Sequence, residues 1–179
     1  YIKNYNSILR FTYNRVQEGV KSTKKLTALQ NKLNNIFIDS HLKNSAIYDA
    51  KAYQKDKVIF GGKKLFLDRL RNKISKEEYQ LKKLVPLYSV GEANQKGNRK
   101  FKIIDENTII LKPNKDLHIK LNLINQGKNY KKFLNKLKEL QETKQIAITY
   151  KLSLDYIYLS FDYSILKQNN YKTKKDMII

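Results

Sequence analysis

The chain has 179 residues, with 37 Lys and Arg against 16 Asp and Glu, a formal net charge of +21. Its length suits one domain or two small ones, and 41% hydrophobic residues with 11% aromatics exclude wholesale disorder. No window approaches 18 consecutive apolar residues, so no membrane span is expected, and the lack of cysteine excludes disulfides, Cys-based zinc sites and thiol catalysis.

Ile2, Tyr5, Leu9, Tyr13 and Val16 recur every three or four residues, with Ile8 and Phe11 widening the stripe. This predicts an amphipathic helix over residues 1–18, ended by Gly19. Leu26, Leu29, Leu33, Ile36 and Phe37 predict a second helix, capped by Ser22 or Thr23. Leu42, Ala46, Ile47, Ala50 and Tyr53 predict a third over 40–54. Val58-Ile59-Phe60 runs into Gly61-Gly62, and Leu65, Phe66 and Leu70 then mark a short basic helix. Ser75-Lys76-Glu77-Glu78 is a capping-box pattern whose helix must stop before Pro86. Residues 1–90 therefore read as a lobe of five helices.

The character changes at Gly91. Residues 91–98 read as a polar linker loop. Residues 99–104 and 107–112 are short β-like runs, and Leu117, Ile119, Leu121 and Leu123 alternate with polar residues after a turn at 113–116. Phe133, Leu134, Leu137 and Leu140 predict a helix over 128–140. Ile146, Ile148, Tyr150 and Leu152, then Ile157, Leu159 and Phe161, predict a hairpin. The expected fold class is α+β: a helical lobe, then a small antiparallel barrel over 99–166 with one inserted helix, then a polar tail over 167–179.

Catalytic chemistry finds little support. His41 and His118 are far apart, without His, Asp or Glu neighbours at ligand spacing, and both read as surface or half-buried residues. No carboxylates cluster at the ends of core strands, as a metal-dependent nuclease requires. Gly61-Gly62-Lys63-Lys64 lacks P-loop spacing, although two glycines before a basic helix let a backbone approach a phosphate. No catalytic residue, metal or cofactor is expected.

The basic residues are unevenly placed. Residues 51–102 hold 12 Lys and 3 Arg against 5 acids, a local +10. Lys63, Lys64, Arg69, Arg71, Lys82 and Lys83, then Lys96, Arg99, Lys100 and Lys102, interleave with Tyr79, Tyr88 and Phe101. Cations beside flat rings suit phosphate neutralisation with base stacking. Any one of these lysines read singly is a solvated surface residue; the cluster is what points to RNA or DNA. Tyr156 and Tyr158 share one face of the last strand and form a candidate stacking platform. The alternative is a stand-alone basic module for an acidic protein or an anionic membrane surface.

Arg10-Phe11-Thr12-Tyr13-Asn14 resembles the Arg…Tyr-Asn element near the start of TnpB-type transposon proteins. Gly97-Asn98-Arg99-Lys100-Phe101-Lys102 is similar to the Gly-x-x-Arg-Phe-Lys stretch before their strands, and the alternating runs 107–123 and 146–161 resemble their wedge barrel. The resemblance implies a recognition lobe and an oligonucleotide-binding-like barrel that grip guide RNA and target DNA, as in the related type V CRISPR effectors. It adds Arg10 to the expected nucleic-acid contacts. It also implies a RuvC nuclease domain beyond residue 179, whose carboxylates this sequence lacks, so the expected role is binding without cutting. The start at Tyr1, without a signal-peptide pattern, reads as a cytoplasmic fragment of a longer protein.

Overall fold

The computed structural model describes residues 1–33, 38–53, 60–114, 116–124 and 128–167. The fold is α+β, in two compact units that divide between Leu87 and Tyr88.

The first unit holds α1 (Ile2–Gln17), α2 (Thr23–Asn31), α3 (Ser40–Ala52), α4 (Gly62–Leu70) and α5 (Lys76–Lys82). The apolar stripe of α1 supplies Tyr5, Ile8 and Leu9 to a core completed by Leu26, Leu42, Ala46, Ile47 and Ala50, all without solvent exposure. Three side chains set the helix starts. Ser22 accepts the Lys25 N–H, Asp39 the His41 N–H and Ser75 the Glu78 N–H. Two polar pairs cross this core: the Tyr5 hydroxyl donates to Asp49 at 3.0 Å, and Gln30 Nε2 donates to Thr12 Oγ1 at 2.8 Å, while Gln30 Oε1 has no partner among the described residues.

Asn6 ties α1 to the chain before Pro86. Its Nδ2 donates to the Val85 carbonyl and its Oδ1 accepts the Val85 N–H, each at 2.8 Å. By contrast, α4 and α5 bury no residue fully. Ile36, Phe37, Gln54, Val58 and Ile59, which the periodicity assigns to this lobe, lie outside the described residues. His41 corrects the expectation of a surface or half-buried residue: α3 buries it to 7% exposure, because it sits in the first turn beside core residue Leu42.

The second unit starts with β1 (Leu87–Ser89), which straddles the division, and a 3-10 turn at Ala93–Gln95. It continues with β2 (Phe101–Asp105), β3 (Thr108–Leu111), β4 (Ile119–Asn122), α6 (Lys128–Glu142), β5 (Thr149–Leu152), β6 (Ile157–Ser160) and α7 (Ser164–Lys167). The strands β2-β3-β4 form an antiparallel meander in which Ile103 faces Ile109 and Ile109 faces Leu121. The hairpin β5–β6 pairs Tyr150 with Leu159 and takes β1 on its other side.

The described strands thus make two separate three-stranded sheets, where the alternation led to an expectation of one small barrel. Alternation sets which side of a strand is buried; it does not set which strands pair. The third strand of the hairpin sheet is the three-residue β1, too short to carry an alternating signal. Helix α6 buries Leu134, Leu137 and Leu140, and Gln141 holds it to β2 by accepting the Ile103 N–H at 3.1 Å.

Residues 91–98 are a built corner of this unit rather than a linker. Gly97 and Asn98 are buried, and a Cβ at Gly91 would fall 2.7 Å from the backbone N and C of Ile148. The expected polar tail lies outside the described residues from residue 168 onward.

Candidate nucleic-acid interface

In the second unit one side chain shapes the basic segment. Asn98 is fully buried. Its Oδ1 accepts the backbone N–H groups of Lys100 and Phe101 and the Ser89 hydroxyl, at 2.8–3.1 Å. Its Nδ2 lies within 3.1 Å of the carbonyl oxygens of Ser89, Val90 and Ile148. The chain from Lys96 to Lys102 is therefore pinned at its middle, and its cations are carried on a fixed backbone.

Around that pin, the Arg99 Nε meets a Glu92 oxygen at 2.9 Å, with half of the arginine side chain exposed. Lys100 Nζ reaches the Pro113 carbonyl at 3.4 Å. Lys102 folds back so that its ammonium donates to the Gln95 and Lys96 carbonyls, the latter at 2.8 Å. Partial burial, reinforced by the charges of Lys96 and Lys112, lowers the Lys102 pKa to about 8. Lys96 itself adopts a left-handed φ of +53°, closing the 3-10 turn.

Phe101 is a correction. It is fully buried and stacks on Tyr150 with ring centroids 4.6 Å apart, so it is a core residue, not a surface for bases. Strand alternation explains this, since Phe101 and Ile103 share the inward face of β2. Burial pushes the Tyr150 hydroxyl's pKa up, and that hydroxyl has no hydrogen-bond partner among the described residues. Tyr156 and Tyr158 are 54% and 40% exposed and meet edge to face at 5.5 Å, with the buried Ile157 between them in sequence.

In the first unit the cations divide into two settings. Lys63 and Lys64 are exposed on the first turn of α4, and Arg71 is exposed just after it. Arg69 donates to the Asn72 side chain at 3.3 Å, and Lys82 pairs with Glu78 at 2.7 Å. Arg10 and Lys83 are half-buried and share a cleft of about 270 Å³ between α1 and the end of α5. The Arg10 guanidinium lies over the Phe60 ring at 4.5 Å, and the Lys83 ammonium lies 5.1 Å from the centre of the Tyr79 ring.

The fold thus gathers Arg10 with Lys83, and Lys96, Arg99, Lys100 and Lys102 with one another. The remaining cations are carried by α4, the turn after it and α5, and Tyr156 and Tyr158 lie at the start of β6. Sequence reading missed Lys3, which lines the same cleft; its spacing to Ser7 and Arg10 is one helix face and was available as a signal. It also missed Lys112 beside Lys102, a neighbour set by sheet pairing. Among the described residues, no three His, Asp or Glu residues lie close enough together to hold a metal ion.

The family model of the SSO2105 N-terminal domain matches residues 1–169. No curated protein and no solved structure matches the chain.

Proposed function

This chain belongs to the SSO2105 N-terminal domain family, and we propose that it is a nucleic-acid-binding unit that takes RNA or DNA by its phosphates. The observation that carries this reading is the set of cations on the Asn98-pinned corner, where burial and then the nearby charges of Lys96 and Lys112 lower the pKa of Lys102. Like charges held together repel, and a polyanion relieves the repulsion while releasing its own counterions.

In this mechanism Arg99, Lys100 and Lys102 contact backbone phosphates. In the first unit, Arg10, Lys63, Lys64, Arg69, Arg71, Lys82 and Lys83 offer further cations to phosphate. Tyr156 and Tyr158 offer exposed ring faces to unpaired bases. The order of three strands, one helix and a hairpin supports an oligonucleotide-binding-like ancestry for the second unit. The short Arg10–Asn14 and Gly97–Lys102 elements support a place in a TnpB-like RNA-guided nuclease, as its binding part.

The test is fluorescence anisotropy with a labelled 20-nucleotide RNA and its DNA counterpart, challenged with polyglutamate and with phosphatidylserine vesicles. Binding that unlabelled nucleic acid displaces, and that the other two polyanionic competitors leave largely intact, is the expected result. Binding only to polyglutamate or vesicles would favour a module for acidic proteins or membranes.

A further inference from the structure

The cleft between α1 and the end of α5 carries more charge than its own surroundings neutralise. Lys3, Arg10 and Lys83 line it together with Ser7 and Gln80, and no carboxylate is among the described lining residues. The Arg10 Nε is buried without a hydrogen-bond partner among the described residues. Asn6, at the base, is already committed to Val85 and offers nothing further.

Arg10 and Lys83 each pack against a neighbour. The Arg10 guanidinium carbon lies over the Phe60 ring, 4.5 Å from its centre. Gly61, at a left-handed φ of +93°, lies so close to Lys83 that an added Cβ would come within 3.0 Å of the lysine Cβ. Burial, and then the charge of Arg10, lowers the Lys83 pKa. An unpaired guanidinium N–H and mutually repelling cations are costly unless an anion enters. A planar guanidinium fork beside flexible ammonium groups matches the tetrahedral oxygens of a phosphate. The volume sits near the ~300 Å³ lower end of small-molecule sites, which leaves room for a phosphate and an attached sugar but little more.

We propose that this cleft is a phosphate-binding subsite in which Lys3, Arg10 and Lys83 hold one phosphoryl group. The inference deepens the nucleic-acid reading, and rests on it only for where the phosphate comes from.

The test uses the full chain and inorganic phosphate, with thermal unfolding followed at ionic strength matched by chloride. Phosphate raises the unfolding midpoint of the wild type in a concentration-dependent way. The gain is lost in Lys3→Gln/Lys83→Gln, which leaves the Arg10–Phe60 packing intact, and in Arg10→Gln. Each substitution weakens phosphate by roughly tenfold or more, the loss of a charge-assisted contact.

Oligonucleotides bearing a 5′-phosphate or a 5′-hydroxyl then separate the sources. Competition with phosphate by the former alone assigns a terminal phosphate, and equal competition by both assigns a backbone phosphodiester. Equal phosphate response in wild type and variants overturns the subsite, even if nucleic acid still binds. A phosphate response without any nucleic-acid binding keeps the subsite and overturns the wider reading instead.

Discussion

The Asn98 carboxamide oxygen accepts the backbone N–H of Lys100 at 2.8 Å, so a buried neutral side chain fixes the path of a strongly basic segment. The same oxygen takes the Phe101 N–H, and the amide nitrogen faces carbonyls from three other positions. Asn98→Ala strands several of these buried groups at ~1–3 kcal/mol each, so a loss of about 3–5 kcal/mol is expected in urea unfolding. Nucleic-acid affinity falls with it, since the cations lose their fixed backbone.

Gly91 makes a second test of the same corner. A Cβ there would lie 2.7 Å from the Ile148 backbone, which has no flexible end to give way. Gly91→Ala is expected to cost about 1–3 kcal/mol through overpacking. Thermal unfolding checks it, with each kcal/mol lowering the midpoint by roughly 4–8 °C in a unit of this size.

Lys102 gives the binding a pH dependence. In the unfolded chain it keeps its proton up to the ordinary value of 10.5, and in the fold it releases it near pH 8. Between those values the unfolded chain holds more protons, so stability rises with pH across that window; below about pH 8 both forms are charged and the cost of burying the ammonium is fully present. Binding runs the other way, because a neutral amine no longer attracts phosphate. Affinity for RNA is therefore expected to fall between pH 7 and pH 9 at constant ionic strength. Lys102→Arg, charged throughout, flattens that profile in anisotropy titrations.

The exposed pair Tyr156 and Tyr158 separates stacking from charge. Their replacement by alanine together removes ring faces from solvent and little from the core, since both are at least 40% exposed. Single-stranded affinity should drop by about 1–3 kcal/mol per stacked base, with double-stranded affinity and the unfolding midpoint nearly unchanged. Gel-shift titrations with matched single and double strands read the difference.

Much of this molecule is legible in its sequence, for reasons that individual residues show. The stripe through Tyr5, Ile8 and Leu9, and the caps at Ser22 and Ser75, are local signals, and the helices start and pack where those signals say. The hairpin of β5 and β6 follows from alternation at Tyr150 and Ile157. What local pattern cannot carry is partnership. The three-residue β1 pairs with β5 across some sixty residues of chain, and the described strands form two sheets where one barrel is expected. Phe101 sits between cations in sequence, yet sheet geometry turns it inward against Tyr150 while Lys100 and Lys102 stay partly exposed. Asn98 reads as one polar loop residue among several, and only the assembled unit shows that it organises the corner.

The most direct test of the account is the salt dependence of binding by the intact chain. With about five phosphates neutralised, the slope of log K against log salt lies near −3.5 for single strands and −4.5 for duplex, a loss of roughly 100-fold and 500-fold respectively between 50 and 200 mM. An affinity that stays flat across that range would contradict phosphate capture by these cations.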